Sequence, residues 1–256
     1  MPITFRHGRI PNDPAKPRLS AAEFLAGTAP ASADWYSRVP SLPMLGNDEW
    51  GDCVEAADGH IIEQQTWYGR GFEGTVTTAD ALHAYSALTG FDPAAGPPGS
   101  NATDRGTMVQ DGLSYLRRQG FHARKIAAFA ELDVTNLDKV RLAAAEFGAL
   151  SIGFSFPRSA MDQFNAGQPW TVISGSPVEG GHCVVVLGYD ASWVYVATWG
   201  RVQRMSWGFW ARYVDEAWAV ISLAWAAGGG GETPTHVDKA GLGQQFEALT
   251  GEPSPW

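Results

Sequence analysis

The run Gly180-Gly181-His182-Cys183-Val184-Val185-Val186-Leu187-Gly188-Tyr189 (GGHCVVVLGY, 180–189) carries one imidazole at the mouth of an apolar segment. Its β-branched centre predicts a buried strand. Asp190-Ala191-Ser192 follow as turn chemistry, and Trp193 to Trp199 (WVYVATW) is a second β-rich run, so the two form a hairpin. A turn near 190–191 sets the His182 region opposite residues 197–200. Around this hairpin, Ala149 to Phe156 alternates as a strand does, and Val202 to Met205 and Trp218 to Leu223 are further β-rich runs. Short helices are expected at Ser159 to Asn165 and at Phe209 to Val214.

Upstream the periodicity changes. Ala56, Ala57, His60, Ile61, Gln64 and Trp67 recur at helical spacing, and Asp52 stands where an N-cap belongs, so Cys53 lies in the first turn of a helix. Further helices are expected from Thr77 to Leu88, around Met108 to Leu116, and from Asn136 to Phe147, and a strand over Phe121 to Ala128. Residues 1–33 read as an extended arm with one helical turn near Ala21 to Leu25. One domain then spans 34–226, helical over 34–148 and β-rich over 149–226. Residues 227–256 are a Gly-rich linker (Gly228 to Gly231) and a helical tail (Lys239 to Thr250). The fold class is α+β.

The 256 residues include 18 Lys and Arg against 27 Asp and Glu, a net charge of −9 with no dense basic block, so phosphate backbones repel the chain and nucleic-acid binding is not expected. No apolar run reaches the ~18–20 residues of a membrane span, and the N-terminus shows no apolar signal core. A cytoplasmic location follows as the expectation, with both cysteines as free thiols.

Cys53 and His182 carry the chemistry. A thiolate is stabilised by the positive end of a helix and by a nearby imidazolium, and such a pair serves acyl transfer. Gly180-Gly181 leave the approach to His182 unobstructed. His182 follows Cys53 by 129 residues (182 − 53).

In these features the chain resembles the papain-like cysteine peptidases. Asp34-Trp35 precedes the region as the family's Asp-Trp does, and Gly51-Asp52-Cys53 stands for Gly-Ser-Cys. Residues 180–189 look like its G-x-H-A-V-x-x-V-G-Y run, and Thr198-Trp199-Gly200 matches the end of Asn-Ser-Trp-Gly. The resemblance spans Asp34 to Leu223 and looks closer to uncharacterised bacterial and phage members than to the secreted proteases. It implies a papain-like fold and a peptide or amide substrate cleaved through a thioester. Cys53 and His182 would be catalytic, and Asn47 would take the place of the Gln of the oxyanion hole. No metal or cofactor is implied.

The departures from the family define an alternative. Ala197 falls where the orienting Asn belongs. Thr198 offers a hydroxyl with Trp199 as shield, but strand alternation points Thr198 to the other face from Ala197. Asp52 adjoins the thiol, Val54 replaces an aromatic, and residues 1–33 are too short for the family's inhibitory propeptide. The alternative is a weak or inactive papain-like fold serving as a structural or binding protein, a phage virion component in contact with other subunits of an assembly. Cys183 and the tryptophans at 193, 199, 207, 210, 218 and 225 are expected in the core, and Glu55 and Asp58 on the helix surface. His7, His83, His122 and His236 have no partner at metal-ligand spacing, and Cys53 with His60 sit two turns apart.

Overall fold

The structure, a computed structural model, describes residues 5–16, 18–21, 25, 27–71, 75–222, 225 and 239–254. The helical turn expected near Ala21 to Leu25 and the linker at Gly228 to Gly231 lie outside the described residues for the most part.

The sheet is built from β4 (Ile126–Glu131), β5 (Leu150–Pro157), β6 (Val178–Tyr189), β7 (Trp193–Thr198), β8 (Arg201–Ser206) and β9 (Val214–Ser222) in the order β4-β9-β5-β6-β7-β8. A short strand, β2 (Ala33–Asp34), pairs with the end of β6, and every pairing in the sheet is antiparallel. The β6–β7 hairpin closes as expected, with Asp190 Oδ1 accepting the N–H groups of Ser192 and Trp193 at 2.7 and 2.8 Å. Val185 opposes Ala197.

Helices cover both faces. Val184, Val186 and Val196 point into a core shared with α4 (Leu137–Phe147) and α6 (Trp207–Tyr213). Cys183, Val185, Leu187 and Ala197 point the other way, onto α1 (Cys53–Arg70) and α3 (Val109–Arg118). α2 (Thr78–Thr89), α5 (Arg158–Asn165) and α7 (Lys239–Thr250) complete the α-helices among the described residues. This is the α+β arrangement read from the sequence.

Local chemistry sets the ends of these elements. Thr77 and Asp80 form a reciprocal capping box at the start of α2, and Gly90 and Gly148 close α2 and α4 in the left-handed conformation. The expected strand at Phe121 begins later, at Ile126. His122 and Ala123, with φ of 48° and 64°, form a tight turn in which the backbones of Phe121 and Arg124 exchange hydrogen bonds.

α1 departs most from expectation. Every residue from Cys53 to Thr66 is buried, Glu55 and Asp58 included, because the helix runs between the sheet and α2 and α3. Glu55 is therefore not on a helix surface. Its Oε1 accepts from Thr107 Oγ1 at 2.7 Å, and burial pushes its carboxyl up to about 7. Burial with the neighbouring Glu55 raises Asp58 as well.

The arm is not a free extension. β1 (Arg9–Ile10) pairs in parallel with β3 (Thr107–Met108), just before α3.

Candidate active site

Cys53 opens α1, with Asp52 at the N-cap position but making no side-chain cap hydrogen bond. Asp52 is fully buried, and burial followed by repulsion from Glu55 raises its pKa well above the usual carboxylate range, which favours the neutral acid beside the thiol. The Cys53 sulfur lies between β6 and the N-terminal arm, where the backbone N–H groups of Cys183 and Gly8 favour its thiolate. Burial outweighs them and pushes the thiol up to about 12.

His182 sits on β6 one residue before Cys183, and its side chain faces the opposite side of the strand. Its Nε2 lies 2.9 Å from Thr198 Oγ1. Thr198 reaches the imidazole because alternation turns it away from Ala197, whose side chain faces the α1 side. Trp199 and Gly200 form the two-residue turn between β7 and β8, with φ of 43° and 75°. Positive φ at both positions suits the strand twist of such a turn. A bulky residue adopts it at a cost, and here it lays the indole over His182 with ring centroids 4.3 Å apart and planes 17° from parallel. The Thr198 hydroxyl and the Trp199 indole thus both touch the imidazole.

His182 Nδ1 is buried without a hydrogen-bond partner, so the Cys53 thiol does not hydrogen-bond it in this conformation. Burial, then the neighbouring His7, holds the imidazole well below its ordinary pKa. Both members of the expected pair are therefore neutral here. Asn47 is buried in the loop before α1, and its Nδ2 donates to the Trp50 carbonyl at 3.1 Å. Cys183 is a free thiol in the core, 3.6 Å from Ser151 Oγ. His60 Nε2 lies 2.7 Å from the Pro43 carbonyl oxygen, a core contact. Among the described residues no group of His, Cys, Asp and Glu could hold a metal ion.

The arm is the component that sequence reasoning missed. Phe5 stacks on Trp199 at 5.0 Å, and the His7 ring lies 4.4 Å from Phe156 and 5.9 Å from His182. Gly8 then passes so close to Gly51 and Gly106 that a Cβ on Gly8 would lie 1.6 Å from the Gly51 carbonyl oxygen. On the other side, a Cβ on Gly181 would lie 2.3 Å from the Arg9 carbonyl oxygen. Residues 5–10 thus fill the trough between the start of α1 and the start of β6. A segment far shorter than a separate propeptide covers the site. The glycines at 8, 51, 106 and 181 are the sequence signal, legible only once their neighbours across the trough are known.

No protein-family model matches the chain, and neither does any curated protein. Solved structures do. Xylellain, a cysteine protease from Xylella fastidiosa, matches at 16% identity over 84% of this chain and 95% of its own, with a TM-score of 0.52. Digestive procathepsin L 3 of Tenebrio molitor larval midgut matches at 15% identity over 80% and 73%, with a TM-score of 0.55. ProCathepsin B S9 from Trypanosoma congolense matches at 12% identity over 84% and 86%, with a TM-score of 0.59. None of the three is described as a phage or virion protein, so that expectation gains no support. No helix among the described residues is long and apolar enough to cross a membrane. The likeness spans most of each chain, and at this identity it establishes one thing about the present protein: its fold is papain-like.

Proposed function

We propose that this chain is a cysteine hydrolase acting on a peptide or a related amide. The observation that carries the reading is the Thr198–His182–Trp199 arrangement, in which the strand that bears His182 also packs, through Cys183, in the same cluster as Cys53. Thr198 and the stacked indole fix the imidazole, and the ring nitrogen left over, Nδ1, has no other partner to hold it. With the arm withdrawn, water enters the trough, and both pKa values relax towards ordinary ones, because burial is the largest cause of each shift.

His182 then takes the Cys53 proton, and the thiolate attacks the carbonyl carbon. The α1 N-terminus and Asn47, whose Nδ2 keeps a second hydrogen, are the donors this reading assigns to the developing oxyanion. Collapse breaks the C–N bond, the amine leaves with the proton from His182, and water, deprotonated by the same ring, hydrolyses the thioester.

Peptide turnover by the wild type and by Cys53→Ala, with iodoacetamide labelling of Cys53 mapped by mass spectrometry, tests this. Turnover lost in Cys53→Ala supports it. Turnover that persists in Cys53→Ala overturns it. An unreactive Cys53 without turnover in an arm-displaced variant supports the other reading, a papain-like fold kept for binding or scaffolding.

A further inference from the structure

Arg9 is the arm residue next to the one that covers the sulfur, and its side chain enters a slot in the sheet. Its Nη2 lies 2.6 Å from Glu216 Oε2 and 2.5 Å from Asp215 Oδ1, and its Nε lies 3.2 Å from the same Glu216 oxygen. Asp215 and Glu216 are consecutive on β9, where regular alternation would send them to opposite faces. A shift of register between Gly153 and Phe154 leaves Asp215 as the extra residue, so both carboxylates reach one cation. Trp218 Nε1 donates to Glu216 Oε1 at 2.8 Å, which fixes the carboxylate plane and turns Oε2 into the slot.

The slot is shaped by what its walls lack. A Cβ on Gly153 would lie 2.6 Å from Arg9 Nε and 3.0 Å from Glu216 Oε2. A Cβ on Gly181 would lie 3.2 Å from Arg9 Cδ. Two glycines therefore admit a long planar side chain, and at the end Arg9 covers a carboxylate down to 3% side-chain exposure. A buried carboxylate without a counter-charge is strongly disfavoured. When the arm leaves, a guanidinium that re-enters the slot recovers the charge-assisted bonds that Arg9 made to Glu216 and Asp215, and two donors converging on one oxygen suit a guanidinium better than an ammonium.

We infer that this slot is a substrate subsite selective for arginine, which the chain's own Arg9 occupies while the arm is seated. A peptide lying in the same trough sets an arginine into the slot when a neighbouring residue reaches the Cys53 sulfur. The inference rests on the trough being the substrate site of the proposed hydrolase. It is tested by binding, so that failure of hydrolysis and failure of recognition remain separate results.

The full chain carrying Cys53→Ala and Arg9→Ala, with Gly8→Ala added to unseat the arm, is titrated by calorimetry with the amide acetyl-Gly-Arg-Gly-NH2 and with its citrulline analogue, which keeps the shape and removes the charge. The expected result is at least a tenfold preference for arginine, abolished by adding Glu216→Gln and absent in the Cys53→Ala chain that keeps both Gly8 and Arg9. Equal binding of the two amides, or a preference that survives Glu216→Gln, overturns the proposal. If Arg9→Ala does not fold, Arg9→Lys is compared in millimolar ethylguanidinium and in ethylurea. A rise in melting temperature with the guanidinium alone, lost with Glu216→Gln, supports the slot, and equal melting in both overturns it. Loss of turnover with the binding preference intact would defeat the hydrolase reading and leave the arginine site standing.

Discussion

His182 Nε2 and Thr198 Oγ1 lie 2.9 Å apart, joined from neighbouring strands on the face of the sheet that Ala197 does not share. The residue aligned with the family's orienting Asn therefore points away from the imidazole, and the next one does the holding. Thr198→Val keeps the side-chain volume and removes the hydroxyl. It leaves Nε2 buried and unpaired, a loss of about 1–3 kcal/mol in folding stability. Turnover should fall by about 10- to 100-fold, since an unoriented ring weakens catalysis without abolishing it. Urea melts and steady-state kinetics check the two effects, and unchanged values in both would remove Thr198 from the site.

Glu55 gives a pH signature. Its carboxyl ordinarily titrates near ~4.3 when unfolded and is pushed up to about 7 by burial in the fold. Between those values the native state holds more protons than the unfolded state, so this group's contribution is fully present below ~4.3 and is lost as pH rises through about 7. The loss amounts to roughly 4 kcal/mol. His7 and His60 act in the opposite sense. Burial lowers both to about 4, so their contribution is lost as pH falls from ~6.5. The wild-type curve mixes these effects, and the difference between wild type and Glu55→Gln isolates one of them. The variant should lose less stability between pH 4.5 and 7.5, measured by denaturant midpoints. Parallel curves for the two proteins would contradict the buried-acid assignment.

The same contrast between local and distant causes explains what the sequence could reveal. The start of α1 at Cys53, the helices α2 and α4 and the hairpin at 190–192 are written in adjacent residues, and they appear within a residue or so of where they are expected. The late start of β4 is not, because His122 and Ala123 take positive φ without a glycine to mark the turn. Burial of Glu55 and Asp58 escapes notice because a charged helix face looks solvated until the elements that surround it are placed. For the site, motif and alternation in the sequence offer Cys53, His182, Thr198 and Trp199 as candidates. The seat of the arm is not, since it depends on glycines at 8, 51, 106 and 181 meeting across long separations in sequence. The register shift that brings Asp215 beside Glu216 likewise has no local mark.

Gly153 tests the Arg9 slot through stability. Alanine there would set its Cβ 2.6 Å from Arg9 Nε, so the side chain must leave Glu216. Breaking one side of a buried ion pair costs about 3–5 kcal/mol. In the Arg9→Ala chain the same Gly153→Ala substitution meets no guanidinium and should cost far less, so the two changes are strongly non-additive in a double-mutant cycle. Additive losses would mean that Gly153 matters to the sheet and not to the slot.

Gly8 tests whether the arm controls the thiol. A Cβ at this position would lie 1.6 Å from the Gly51 carbonyl oxygen and 2.2 Å from its carbon, both backbone atoms that cannot rotate aside. Gly8→Ala therefore unseats the arm around the sulfur while touching no residue of α1 or β6. Burial is the chief cause that pushes Cys53 up to about 12, so admission of water should return the thiol towards ~8.5. At pH 8 the thiolate fraction then rises steeply, and iodoacetamide should label Cys53 at least about a hundredfold faster than in the wild type. Mapping by mass spectrometry separates this from labelling of Cys183, which lies in the core and should stay slow. Peptide turnover should rise together with the labelling rate. A Gly8→Ala chain that folds and labels Cys53 no faster than the wild type would show that the sheet and α1 bury the sulfur on their own, and that the arm is no gate.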